Sequence, residues 1–180
     1  MIFTLGTTDV RTKTYSNLES LEKDLLNCTL GSVYAGQKKG TESAWNMVAV
    51  TDHDTGEYFG LGVLCSTNRE PHILATENNM LFIGADNFVI VFDILGKKVR
   101  SIIPLPSEFE DFFYLPHHFM VFIVHKKGVF VKDEEAQDIW RVSRGTMTAY
   151  AIEKNLFVMT LANGKTAAFK ISNGKEVHLK

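Results

Sequence analysis

Apolar runs and polar breaks alternate along this chain with a regular beat. Four stretches share one pattern: residues 48–62, 89–103, 129–143 and 167–180 each read as an apolar strand, a polar turn and a second strand. The turn carries Gly56, Gly96 or Gly174, and Ala136 takes that place in the third stretch. Gly56 to Gly96 is 40 residues, Gly96 to Ala136 is 40, and Ala136 to Gly174 is 38. A lone hairpin cannot bury its own apolar side, so units of this kind become stable by stacking.

Further apolar runs lie upstream of these hairpins. Residues 80–83, 119–124 and 156–160 read as second strands, each ending in a polar loop at 84–87, 125–128 and 162–165. First strands are predicted at 72–76, 111–115 and 147–152, and third strands at 88–93, 129–132 and 166–171. The nearly unbroken run 119–124 predicts a strand buried on both faces. The fourth strands are more polar, with Lys97, Lys98 and Arg100 in one and Lys175, Glu176 and His178 in another, as outer strands would be. The pattern predicts a mainly β protein. It is a propeller-like array of about four antiparallel β units with one N-terminal α-helix.

Before residue 45 the pattern changes. Residues 1–15 are Thr-rich and predict one strand at 1–5 followed by an irregular connector. Ser16-Asn17-Leu18-Glu19 reads as a capping box with Ser16 as N-cap. Leu18, Leu21 and Leu25 then share one helical face with Leu26 beside it, which predicts a helix from Asn17 to Asn27 with its stripe in a core contact. Beyond Gly31 the spacing predicts a strand at 32–35, a turn at 37–41, a strand at 45–50, a turn of Asx character at 51–56 and a strand at 57–64. The chain is thus expected to form a single domain over 1–180. Residues 1–44 are its strand and helix cap, and 45–180 are repeat units of about 40 residues.

Composition narrows the function classes. Nineteen Lys and Arg against 21 Asp and Glu give a net charge of −2, so no basic field draws in nucleic acid. The pairs Lys38-Lys39, Lys97-Lys98 and Lys126-Lys127 are isolated and sit in turns. No stretch is apolar enough to span a membrane, and the N-terminus lacks a basic segment followed by an apolar run, so a cytoplasmic location is expected. Cys28 and Cys65 have no close partner and read as free thiols. Gly-x-Gly-x-x-Gly, P-loop and Cys-x-x-Cys motifs are missing, and no cofactor is expected.

Two groups could carry chemistry in a hydrolase. Asp52-His53-Asp54 offers acid, base or metal ligands, and so does His117-His118. Adjacent side chains on a turn seldom converge, and Asp52 and Asp54 read better as turn-bonding residues. His117 and His118, entering a strand, are expected to point to opposite faces, one buried and one exposed. Neither group is expected to bind metal. Ser107 and Ser143 have no nucleophile-elbow context.

The acidic clusters point elsewhere. Glu108-Phe109-Glu110-Asp111-Phe112-Phe113-Tyr114 interleaves three carboxylates with four aromatics in the connector between units. Asp133-Glu134-Glu135, with Asp138 and Trp140 nearby, sits at a hairpin tip. The candidate partner-binding residues are Glu108, Phe109, Glu110, Asp111, Tyr114, Asp133, Glu134 and Glu135, with Phe109 or Tyr114 as apolar anchor. Aromatics ringed by carboxylates suit a basic protein, because burial holds the partner and charge speeds its arrival. Strand topology puts the two clusters at opposite ends of the sheets.

The motif Asp-x-x-Thr-Gly-Glu at 52–57, echoed at 93–97 and 171–175, resembles the strand-turn-strand of WD-repeat-like and quinoprotein-like propellers over residues 45–180. The chain's size, mild acidity and lack of a catalytic constellation also resemble the immunity proteins of bacterial polymorphic-toxin and contact-dependent growth inhibition systems. That resemblance implies a non-enzymatic module that occludes the active site of a cognate basic toxin domain, often a nuclease. A scaffold subunit of a larger complex and a hydrolase are the alternatives.

Overall fold

The computed structural model describes residues 2–36, 43–67 and 69–178. The turn expected at 37–41 lies outside them. The chain divides into two compact units, Met1–Pro104 and Leu105–Lys180.

The first unit opens with β1 (Ile2–Leu5), β2 (Thr8–Tyr15), α1 (Leu18–Leu26), β3 (Ser32–Gly36), β4 (Ala44–Asp52) and β5 (Tyr58–Cys65). These strands form one sheet in the order β1-β2-β4-β5-β3. A second sheet follows as a simple meander of β6 (His72–Ala75), β7 (Met80–Ala85), β8 (Phe88–Asp93) and β9 (Lys98–Pro104). The second unit holds two more meanders. The third sheet is β10 (Phe109–Leu115), β11 (Met120–His125), β12 (Gly128–Asp133) and β13 (Asp138–Ser143). The fourth is β14 (Met147–Glu153), β15 (Leu156–Leu161), β16 (Thr166–Lys170) and β17 (Glu176–Val177). The described residues are thus mainly β, with one α-helix and four antiparallel-rich sheets, two in each unit, of the kind that propeller-like arrays are built from.

Two features of the first sheet correct the sequence reading. Residues 8–15 are a full strand, not a connector, paired with β4 from Thr8↔Asp52 to Tyr15↔Trp45. Its β-branched threonines favour the extended chain. Most of its side chains face out, with Val10, Tyr15 and Asp9 buried, so the apolar signal is thin. Strand β3 pairs parallel to β5, from Ser32↔Gly60 to Gly36↔Leu64. Parallel strands need a crossover, and α1 supplies it between β2 and β3.

The helix is capped one residue later than expected. Asn17, not Ser16, is the N-cap, and its side-chain oxygen accepts from Ser20 N at 2.9 Å. Leu21 and Leu25 are buried with Tyr15, Met47 and Leu64, so the stripe does face a core. Leu26 falls off the stripe and is exposed. Strand β5 makes room for the helix with glycines. A Cβ on Gly60 would sit 2.5 Å from Cys28 Sγ, and one on Gly62 would sit 2.9 Å from both Leu25 Cδ1 and Tyr34 Cδ1.

The first and second sheets of the first unit share a core that includes Val48, Leu61, Leu81, Ile90 and Phe92, with the rings of Phe59 and Phe92 5.1 Å apart. The third and fourth sheets share one built on Phe122, Trp140, Phe157, Met159 and Phe169. Phe82, Phe122 and Phe157 are fully buried, as their repeat positions predict. All four hairpins turn where the period places them, but by different means. Gly56, Ala136 and Gly174 are left-handed, with φ of 71°, 67° and 67°. In the β8–β9 turn the left-handed residue is Lys97, with φ 50°. Gly96 serves there by its small size: its N–H donates to Asp93 Oδ1 at 2.8 Å, and a Cβ would lie 2.6 Å from Asp93 Oδ2. Cys28 and Cys65 are free thiols. Among the described residues no helix is long and apolar enough to cross a membrane.

Candidate functional site

The acidic and aromatic stretch at 108–114 is strand rather than connector. Its residues from Phe109 onward form the edge strand β10, which pairs with β11 from Phe109↔His125 to Leu115↔Met120. That register sends its two ends to opposite ends of the third sheet. Glu108 lies at the β11–β12 turn, where its carboxylate pairs with Lys126 and its carbonyl accepts from Lys126 N. Phe109 is buried and packs on Phe112 at 4.6 Å between ring centroids. Glu110 and Asp111 are half-buried, and Asp111 Oδ1 accepts from Phe112 N at 2.8 Å. Burial pushes the Tyr150 phenol above its ordinary value, with Asp111 and Glu110 adding to the shift.

Tyr114 belongs to the other end. Its hydroxyl donates to Glu134 Oε1, which ties the first cluster to the second. Glu134 is itself buried, whereas Glu135 is exposed. Asp133 shapes the β12–β13 turn by accepting from Gln137 N at 2.7 Å. Beside it Lys132, also buried, reaches Asp138 Oδ1 at 2.9 Å.

This end carries a residue that the sequence pattern misassigns. Phe119 looks like the first member of the buried run 119–124. It lies instead just before β11, at the end of a single 3₁₀ turn (Pro116–His118), with φ 52° and 60% of its surface exposed. The register Met120↔Asp133 sets it beside the acidic β12–β13 turn. The matching connections of the second and fourth sheets also use a left-handed residue, Asn79 with φ 63° and Lys154 with φ 55°. Asn tolerates that conformation, but a bulky aromatic there is strained. His117 and His118 correct another expectation: both are exposed, because they sit in the 3₁₀ turn and not in a strand.

Asp52-His53-Asp54 is built as a turn. Asp52 Oδ1 accepts from Asp54 N and Thr55 N, both at 3.0 Å, and the Thr55 bond leads in holding this carboxyl below the ordinary range. His53 Nδ1 lies 3.7 Å from Asp9 Oδ2. Among the described residues no three His, Cys, Asp or Glu side chains gather closely enough to hold a metal ion. A pocket of about 110 Å³ opens nearby against Val50, Asp52, Phe59, Ile94, Leu95 and Lys97. Pockets that enclose small-molecule ligands run to roughly 300–1,000 Å³.

One polar pair was not legible at all. His125, placed by sequence in a polar loop, ends β11 and is fully buried. Its Nδ1 lies 2.8 Å from Ser107 Oγ, which also accepts from Lys127 N at 3.1 Å. Nε2 has no hydrogen-bond partner among the described residues. Burial, with Lys127 adding to it, pushes the imidazole pKa down to about 4. The pair fastens the 107 loop to the β11–β12 hairpin. The only sequence clue is the apolar run just before His125.

No protein-family model and no curated protein matches the chain. Among solved structures, dihydro-heme d1 dehydrogenase NirN, in complex with DHE, is similar at a TM-score of 0.53 and 8% identity, over 83% of this chain and 37% of that one. The computationally designed Ika8 protein scores 0.49 at 20% identity, over 98% of this chain and 59% of that one. Sqt1 of Saccharomyces cerevisiae scores 0.49 at 10% identity, over 78% of this chain and 46% of that one. The chain spans less than two thirds of the length of each of the three. The NirN likeness, to a propeller-type fold, speaks for the fold alone.

Proposed function

We propose that the protein is a non-enzymatic binding module that holds a basic protein partner at the Phe119 end of the third sheet. Phe119 carries this reading. The matching position of the second sheet is Asn79, and the shorter turn of the fourth sheet places its left-handed residue, Lys154, one step earlier, so neither turn uses an aromatic there. Backbone strain at an exposed aromatic makes sense if the ring has work outside the fold. Glu135 and Asp133 beside it supply the charge that steers a basic partner, and the half-buried Tyr114–Glu134 bond holds their turn in place. The most specific form of the reading is an immunity protein that covers the basic cleft of a toxin domain. The Glu108–Asp111 end ranks behind it, since Phe109 is buried and Glu108 is paired.

The test uses the partner captured by the full chain from its native host. Phe119→Asn relieves the strained turn while removing the ring. It should raise folding stability by about 1 kcal/mol, yet speed dissociation and cost roughly 2 kcal/mol or more of binding. Glu135→Lys should instead slow association, most at low salt. Unchanged dissociation in Phe119→Asn would sink the proposal.

A further inference from the structure

Within the first unit, hairpin tips of the first and second sheets line one small hollow. Its floor is buried and apolar: Val50 on β4, Phe59 on β5 and Ile94 just after β8. Its mouth is different. Asp52 is half-buried there, and Leu95 and Lys97 are exposed. The volume is about 110 Å³. A closed apolar cavity of about 150 Å³ holds a benzene ring, so this hollow has room for an alkyl group of about four carbons. The rest of any ligand would stay at the mouth, among the charges.

Lys97 stands four residues after the end of β8, as Gly56 does after β4 and Gly174 after β16. The sister turns give that left-handed place to glycine, and here a lysine holds it with φ 50°. A side chain kept at an exposed, strained position has a use outside the turn. Asp52, on the turn of the other sheet, carries the opposite charge. Its carboxyl is held low chiefly by Thr55 N–H, and Lys97 adds to the effect, which sets the two charges near each other. Among the described residues neither forms an ion pair. A carboxylate has about four acceptor sites, so the bonds from Asp54 N and Thr55 N, both to Oδ1, leave Asp52 able to take an ammonium. An apolar floor below one cation and one carboxylate is the complement of a zwitterion. A simple carboxylic acid would meet Asp52 as a like charge, and a simple amine would meet Lys97 so.

We propose that this hollow binds a free α-amino acid with a small branched aliphatic side chain, its alkyl group on Val50, Phe59 and Ile94, its carboxylate at Lys97 and its ammonium at Asp52. This does not rest on the Phe119 reading. NMR titration of the isotope-labelled full chain tests it, with L-valine, isovalerate, isobutylamine and isobutanol as probes. L-valine should bind with a Kd of about 1 mM or tighter and shift the amides of the β4–β5 and β8–β9 turns. Isovalerate and isobutylamine, each lacking one charge, should bind about fivefold more weakly. Lys97→Gly, which installs the sister residue, should weaken L-valine and isovalerate about fivefold and leave isobutylamine unchanged. Lys97→Arg should keep all three. Asp52→Asn, whose amide oxygen can still accept the turn bonds, should weaken L-valine and isobutylamine but not isovalerate. No shift with L-valine would overturn the proposal, and so would shifts confined to other residues. Isobutanol binding as tightly as L-valine would also overturn it, and would mark the hollow as a slot for an apolar side chain of a partner protein.

Discussion

The first and fourth sheets each bury one face in a two-sheet core, and they treat the other face in opposite ways. The first sheet lies under α1, whereas the fourth has no helix of its own unit over that face. The difference comes from a few side chains. Gly60 and Gly62 cut a trough in β5 that admits Leu25 and Cys28. The fourth sheet has Val158 and Ala168 at the middle of its outer face, flush and without a trough. A helix can sink into the first surface, whereas the second offers it no such seat. The units also differ in their polar anchors. The first leans on carboxylates: Asp9 held down chiefly by Thr4, Asp24 by Lys13, Asp52 by Thr55 N–H and Asp93 by Gly96 N–H. The second has a buried neutral histidine.

The harshest way to break this comparison is to empty the cores. Phe157→Ala in the second unit should cost about 3–5 kcal/mol, and Leu21→Ala beneath the helix about 2–5 kcal/mol. Chemical denaturation measures both. A negligible loss at Leu21 would mean that the helix covers the first sheet without stabilising it.

Acid should separate the anchors. A histidine with an ordinary pKa of 6.5 and a folded value of about 4 binds its proton more readily when unfolded. Its contribution is complete above pH 6.5, shrinks as pH falls to about 4, and is constant below that. The depressed carboxylates act later, since their contribution is complete above the ordinary 3.8 and fades as pH drops through the lower folded values. Melting curves from pH 7 to 3 should therefore show two stages. His125→Phe should flatten the upper one only, and an unchanged upper stage would count against the buried neutral imidazole.

The trough offers a milder contrast. Gly62→Val must displace Leu25 or Tyr34 and should cost about 1–3 kcal/mol. Ala149→Val, exposed on the outer face of the fourth sheet, should stay within about 0.5 kcal/mol. Equal losses at the two sites would erase the distinction between trough and flat face. The smallest effect is a gain. Ala136 carries a left-handed φ that glycine bears freely in the sister turns at Gly56 and Gly174. Ala136→Gly should therefore stabilise the second unit by about 1 kcal/mol.

How much of this was legible depended on how strongly each feature marks the sequence. The three meanders announce themselves through apolar runs and turns at a constant step, and their central strands fall within a residue or two of expectation. Strand β2 does not, because it buries little and its threonines read as loop. The parallel seat of β3 leaves no local trace, since it depends on where the helix delivers the chain. Phe119 misleads for the opposite reason: an exposed left-handed phenylalanine is spelled like the first residue of a buried strand. At the candidate site, Tyr114 and the Asp133–Glu135 turn were legible as members of clusters. Their union through Glu134 was not, because register alone brings residue 114 to residue 134.

The crossover through α1 also sets an order of assembly. Each meander pairs near neighbours in sequence, and the fourth sheet is complete within residues 147–177. Strand β3 has no such luxury, since its one partner strand among the described residues, β5, follows some two dozen residues later. During synthesis β1 and β2 can pair at once, while α1 and β3 wait with Leu21, Leu25 and the edge of β3 uncovered until β5 arrives. Contacts that close long loops form late and leave sticky surface in the meantime. A ribosome-bound chain that stops short of Cys65 is thus the form of this protein with most need of a chaperone.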